Sequence, residues 1–282
     1  MTTTHQGKIC VITGATSGIG KETAIQLARM GFTLGLVGRN SDKISSAHAE
    51  IQSASGNEQI TFFRADLSLM EDVRRLVKEI QSTFDKVDVL LNNAGAFISE
   101  FQKTKEGLEN TFALNHLSYF LFTNLLLDLL KGTPHSRIIN VASDAHLNTD
   151  LDFDNLQGLN GYKGWAAYCQ SKLCNIMFTY ELARRLQGTT TTANCLHPGF
   201  VNSNFGDNNK GMVRIGLSAA KSLGAISIKK GAKTSIFLAS SAEAENVNGK
   251  YYSKCKPKDS SSQSYVVKDQ KRLWEISEQL LS

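Results

Sequence analysis

Tyr168 and Lys172 stand four residues apart, the spacing that puts two side chains on one face of a helix. An ammonium held beside a phenol favours the phenolate, which lowers a tyrosine from its ordinary pKa of about 10. Tyr168 is therefore a candidate proton donor or acceptor near neutral pH. Ser143 closes an apolar run over 137–142 and offers a hydroxyl to hold a substrate oxygen, and Asn115, in a long apolar helical stretch, is expected with it at the carboxyl edge of the sheet. A Tyr-x-x-x-Lys spacing is weak by itself. The chain contains a second, Tyr252 with Lys256, in a lysine-rich loop, and that pair reads as structural. The first pair differs because it follows the Ser143 run and opens a long helix.

Residues 13–20 read Thr-Gly-Ala-Thr-Ser-Gly-Ile-Gly between an apolar run and a helical stretch, the context required of a dinucleotide-binding turn. Gly14 allows the tight turn, Gly18 lets backbone approach a pyrophosphate, and Gly20 permits close packing of helix on strand. Thr16, Ser17 and Ile19 complete the turn as binding candidates. The helix that follows presents unpaired N–H groups and a partial positive charge to phosphates. The glycine spacing, Gly-x-x-x-Gly-x-Gly, is a variant of the commoner pattern. A carboxylate after the second strand would bond a ribose 2′-hydroxyl; here Arg39 and Asn40 stand instead. A guanidinium suits a 2′-phosphate, so the expected cofactor is NADP(H).

The elements that must carry these residues alternate. Apolar, β-branched runs predict strands over 8–13, 33–37, 60–64, 87–91, 137–142 and 192–196. Helical spacing predicts helices over 18–30, 42–53, 72–84, 112–130, 166–186, 230–240 and 271–281. Such alternation implies an α/β fold, a Rossmann-type doubly wound parallel sheet flanked by helices on both faces. With no linker or repeat, residues 1–282 read as a single dinucleotide-binding catalytic domain, with substrate-loop segments near 145–165 and 200–228. Small residues over 204–228 suggest a mobile segment beside the site, and 256–264 reads as a surface loop.

Composition removes several classes of function. The net charge of +5 is small and scattered, which argues against nucleic acid as a partner. Five cysteines without a CxxC pair read as reduced thiols of a cytoplasmic protein, and six histidines without ligand spacing leave no metal site expected. The N-terminus has no signal-peptide pattern. The longest apolar stretch, 119–130, is interrupted by Thr123, Asn124 and Asp128, so no transmembrane segment is expected.

Taken together these motifs resemble the short-chain dehydrogenases/reductases over nearly the whole chain. The glycine turn looks like that family's cofactor turn, Asp66-Leu67 like its adenine-contacting pair, and Asn92-Asn93-Ala94-Gly95 like the stretch lining its cofactor cleft. Asn115, Ser143, Tyr168 and Lys172 match its catalytic tetrad, and Pro198-Gly199 with Val201 its nicotinamide-contacting turn. Stretches 167–173, 178–186, 196–199 and 272–281, with Asn155-Leu156-Gln157, are most similar to the retinol dehydrogenase-like branch. That branch commonly uses NADP, in agreement with Arg39. Many of its members carry an N-terminal membrane anchor, whereas this sequence opens almost directly on its first strand. The resemblance implies that Lys172 holds the nicotinamide ribose and lowers the Tyr168 pKa, that Tyr168 exchanges the proton, that Ser143 fixes the substrate oxygen and that Asn115 holds a relay water. Many relatives pair through two long helices, here 112–130 and 166–186, which suggests a homodimer.

Walls for a small lipophilic carbonyl or alcohol substrate are expected from 96–100, 145–165 and 200–215, through Phe97, Leu147, Leu151, Phe153, Tyr162, Trp165, Phe200, Phe205 and Met212. The alternative to an enzyme is a non-catalytic NADP-sensing regulator on the same fold. The intact tetrad favours the enzyme.

Overall fold

The structure is a computed structural model that describes residues 5–202, 206, 209, 221 and 224–282. Among the described residues eight strands form one sheet in the order β3-β2-β1-β4-β5-β6-β7-β8. They are β1 (Ile9–Thr13), β2 (Thr33–Gly38), β3 (Ile60–Arg64), β4 (Val89–Asn92), β5 (Arg137–Val141), β6 (Thr192–His197), β7 (Tyr251–Ser253) and β8 (Lys256–Pro257). Every pairing is parallel except the last, an edge hairpin in which β8 runs against β7.

The central strands are buried on both faces, and their side chains alternate between two cores. Val11, Leu90 and Ile138 enter one; Cys10, Ile12, Leu91 and Ile139 enter the other. This is the period of two that a strand imposes, and it explains why the central runs are apolar throughout. Helices α1 (Gly18–Arg29) and α2 (Ser41–Ser55) cover the second core with Leu27 and Ile51. Helix α3 (Met70–Thr83) covers the first with Val73 and Leu76.

The stretch read as one helix over 112–130 is divided. Helix α4 (Asn110–Phe112) enters a π-helical turn at Ala113–Leu117, which continues as α5 (Ser118–Leu125) and then α6 (Leu127–Lys131). Asn115 lies in the π turn. Glu109 caps the start by accepting from the backbone N–H groups of Thr111 and Phe112, both at 2.7 Å. Beyond β5 come α7 (Gly164–Arg185), α8 (Ile228–Ser240) and α9 (Val267–Leu281).

Helix α9 lies across α5 and α7. Its Trp274 ring is 4.7 Å from Phe120 and 5.7 Å from Phe178 by ring centroids, and Ser277 is hydrogen-bonded to His116 at 2.9 Å. Residues 171–183 of α7 are consequently buried on every side.

The second Tyr-x-x-x-Lys pair is structural: Tyr252 is a core residue of β7 packed on Phe237, and Lys256 is exposed. Most of the segment over 204–228, including Phe205 and Met212, lies outside the described residues. No described helix is long and apolar enough to cross a membrane.

Candidate active site

The strand order reverses between β1 and β4, and in an open parallel sheet the crevice at that reversal is where ligands bind. Thr13 closes β1 there. Its hydroxyl accepts from the backbone N–H groups of Asn93 (2.9 Å) and Ala94 (3.0 Å), while the Asn93 amide donates to the Thr13 carbonyl at 2.9 Å. The glycine turn and the stretch Asn93, Ala94, Gly95 are therefore one rigid unit. Gly14 adopts φ +67°, in the left-handed region, and a Cβ there would come 2.9 Å from the Ala94 Cα. Helix α1 then starts with no side-chain cap from Ser17 and no acidic residue in its first turn, leaving its first N–H groups for an anion.

Gly20 is the tightest point. A Cβ there would lie 2.4 Å from the Gly14 carbonyl oxygen and 2.6 Å from the Asn93 amide nitrogen. Neither neighbour can retreat without opening the turn. Gly20→Ala is expected to cost about 1–3 kcal/mol, the usual range for overpacking, and to lower dinucleotide affinity as the turn shifts. Thermal melting and a fluorescence titration with NADPH measure both; unchanged affinity would mean that the turn does not face the ligand.

A cavity of about 680 Å³ runs along the carboxyl edge of the sheet. In the order of the strands it is lined by Arg39, Asp66 and Leu67 beyond β2 and β3, then by Gly14, Thr16, Ser17, Gly18, Ile19 and Gly20 with Asn93, Ala94 and Gly95, then by Ser143, Tyr168 and Lys172, and finally by Pro198, Gly199 and Val201. The glycine cradle at its centre fits a dinucleotide, and Arg39 stands at one end opposite Asp66.

Two expected residues do not line this cavity. Asn40 accepts from the Lys43 backbone N–H at 3.0 Å and is the N-cap of α2. Asn115 lies just behind the wall. Its amide donates to the Ala96 carbonyl and the Ser171 hydroxyl, both at 2.9 Å, and its oxygen accepts from the Ala96 N–H at 2.9 Å. A Cβ on Gly95 would be 3.2 Å from the Asn115 oxygen and 3.3 Å from the Lys172 Nζ, so both side chains need a glycine there.

Tyr168 is held among aromatic rings, stacked on Trp165 at 5.5 Å and edge-on to Phe97 at 6.2 Å, with its hydroxyl hydrogen-bonded to Ser143. Lys172 Nζ lies 5.6 Å from the centre of the Tyr168 ring and donates to the Val141 carbonyl at 3.1 Å. The expected lowering of the Tyr168 pKa is not met in the chain alone. Burial pushes the phenol above its ordinary value, and the Ser143 bond only partly opposes this. Burial also pushes Lys172 down to about 8. Desolvation is the largest influence on both groups and decides the direction of each.

The expected substrate walls divide. Trp165 and Phe200 line the cavity and are half exposed. Phe97 is buried edge-on against Trp165 at 5.9 Å. Leu147 stays at the surface. Leu151 instead joins the core, and Phe153 packs beside it under the Arg272 guanidinium at 4.4 Å. The Tyr162 hydroxyl donates to the Ile98 carbonyl at 2.9 Å, pinning the insert to the segment opposite.

Sequence reasoning passed over Asp144 and His197, which also line the cavity. The signal was adjacency: one follows Ser143 directly and the other precedes Pro198.

A family model described as short chain dehydrogenase matches residues 8–213. The chain is 40% identical over 275 residues to retinol dehydrogenase 12 from Mus musculus, an alignment covering 98% of this chain and 86% of the relative. It is 38% identical over 285 residues to retinol dehydrogenase 13 from Homo sapiens, covering 99% and 86%. Among solved structures, an uncharacterized protein from Mycobacterium paratuberculosis superposes with TM-score 0.79 at 29% identity, covering 100% of this chain and 97% of that one. A short chain dehydrogenase from Burkholderia cenocepacia J2315 in complex with NADP gives TM-score 0.71 at 23% identity, covering 88% and 96%, a likeness of fold.

Proposed function

The chain belongs to the short chain dehydrogenase family, in its retinol dehydrogenase-like branch, and from that premise we propose that it is an NADP(H)-dependent oxidoreductase acting on a lipophilic aldehyde, ketone or alcohol. The observation that carries this reading is one cavity that joins a glycine cradle, a guanidinium at its rim and the Ser143–Tyr168–Lys172 cluster. The nicotinamide, when bound, supplies or accepts the hydride.

The residues of the chain do the rest. The glycine turn and α1 hold the pyrophosphate, Asp66 and Leu67 the adenine, and Arg39 the 2′-phosphate. Pro198, Gly199 and Val201 face the nicotinamide. In reduction, the carbonyl carbon gains the hydride while Tyr168 gives the phenolic proton to the carbonyl oxygen. Burial keeps that phenol protonated, the form reduction needs. The Ser143 hydroxyl fixes the oxygen, and Lys172 holds the ribose. Asn115, locked in its π turn, supports the path by which the proton is replaced. Trp165 and Phe200 give the substrate end an apolar surface, which supports a lipophilic substrate.

The test is NADPH consumption with a panel of aldehydes and ketones, retinal and short aldehydes side by side. Turnover is expected with apolar carbonyls. Silence across the panel alongside tight NADPH binding would favour a cofactor-sensing regulator.

Pairing through the two long helices meets an obstacle. Residues 171–183 of α7 are buried and α9 occupies the adjoining face. A pair formed through α5 and α7 is therefore not expected, and cross-linking between these helices in two copies should give no product. A dimer cross-linked between α5 and α7 of two copies would overturn this.

A further inference from the structure

A single peptide unit, the one joining Ser143 to Asp144, is gripped at both ends by imidazoles. Its carbonyl accepts from His146 Nδ1 at 2.6 Å and from the His146 backbone N–H at 3.2 Å. Its N–H donates to His197 Nδ1 at 3.0 Å. Both tautomers follow. His146 Nε2 accepts from the Ser261 backbone N–H at 3.0 Å, so its proton is on Nδ1. His197 accepts at Nδ1, so its proton is on Nε2, which faces an Asp144 carboxylate oxygen at 3.5 Å. Asp144 is held in turn by the Tyr251 hydroxyl at 2.7 Å and by Lys258 Nζ at 3.1 and 3.0 Å. The Tyr251 ring packs edge-on against His146 at 5.1 Å. Residues 251–261 thus form a strap that fastens both histidines.

We propose that His146 and His197 are positioning residues for Ser143: as neutral imidazoles they fix the peptide that follows it, and so the direction of its hydroxyl toward Tyr168 and the substrate oxygen. This rests on the reading of Ser143 as the group that holds that oxygen. The Ser143 backbone is extended, with φ −163° and ψ 151°, and its Oγ accepts from the Ala145 N–H at 3.1 Å, so the gripped peptide and this cap hold the residue together. Neither histidine can be charged without losing an acceptor that a backbone N–H requires.

The charges facing the pair are those of Asp144 and Lys258 and each other, with the Tyr251 ring and, beyond Ser143, the Tyr168 phenol. Burial is the largest influence on both histidines and holds each below its ordinary value. Asp144 opposes this for both, and Lys258 reinforces it. The sign is then fixed. The clamp is intact above the ordinary histidine range and is lost as pH falls through the lowered values.

The experiment combines turnover with a readout that needs none. The pH profile of kcat is measured from about pH 5 to 9 with NADPH and an aliphatic aldehyde such as nonanal. His197→Ala should lower kcat about three- to tenfold, the worth of one hydrogen bond, with little change in KM for NADPH. His197→Asn, whose oxygen can still accept from the Asp144 N–H but does not protonate, should recover much of that loss. It should also move the acid limb to lower pH; His146→Asn should do likewise. A purely structural role would lower the rate at every pH and leave the limb in place, which overturns the proposal. Hydrogen exchange at the Asp144 amide is the second readout. Protection should be lost in His197→Ala and restored in His197→Asn whether or not the chain turns over, so an inactive wild type would refute the oxidoreductase reading without deciding this one. Unchanged protection in His197→Ala refutes the clamp.

Discussion

Tyr168→Phe is expected to lower kcat by roughly 10²–10⁴-fold, the span that a positioned general acid contributes. The substitution removes one oxygen and leaves the ring. The ring packs against Trp165 and Phe97 at 5.5 and 6.2 Å, so the fold and the cavity wall should survive. NADPH affinity should stay within about threefold, less than the loss of one average hydrogen bond, because the lost group serves the substrate oxygen. Stopped-flow turnover with a parallel fluorescence titration separates the two effects. Near-normal turnover would remove Tyr168 from the proton transfer. Loss of cofactor binding with the rate per bound enzyme unchanged would make it a cofactor ligand only.

The second large effect is expected at Arg39. In the chain alone its guanidinium sits 3.3 Å from Asp66, with the side chain 72% exposed. An ion pair that exposed contributes at most about 1 kcal/mol. A charge-assisted bond to a 2′-phosphate is worth about 1.5–3 kcal/mol, so a 2′-phosphate placed at this rim should win over Asp66 at little cost. Wild type should therefore prefer NADPH to NADH at least tenfold in kcat/KM, consistent with one such bond. Arg39→Asp removes the bond and sets a carboxylate where the phosphate would lie, and the preference should reverse. The ratio of kcat/KM for the two cofactors is the measurement. A variant that still prefers NADPH would show that selection lies elsewhere along the rim.

Much of this molecule was legible in the chain because its signals are local. The strand runs alternate with a period of two, and both faces are buried, so Val11 and Ile12 had to point into different cores. The Tyr168–Lys172 spacing and the glycines of the cofactor turn depend only on helix pitch and on backbone freedom. From such features the parallel sheet, the cofactor turn and the Tyr168–Lys172 pair could be read directly, whereas Asp66, Leu67, Asn93 to Gly95 and Pro198, Gly199 and Val201 were expected only through the family resemblance.

Other features depend on contacts between distant segments, which no local period encodes. The π turn at Asn115 hides inside an apolar run that looks helical throughout. Leu151 and Phe153 have the composition of a substrate wall, yet Leu151 enters the core and Phe153 packs beneath Arg272 of α9, because burying apolar area there competes with lining a cavity. The same helix packs on α7, one of the two helices through which a homodimer was expected. The direction of the Tyr168 pKa was decided by burial, which the Ser143 bond only partly opposes. The Ser143–Asp144 peptide is clamped by His146, which Ser261 holds from 115 residues downstream, and by His197, 53 residues from Asp144. By itself the sequence determined which groups are present and on which edge of the sheet they fall. Burial and long-range hydrogen bonding decided their protonation, their orientation and which of them reach the cavity.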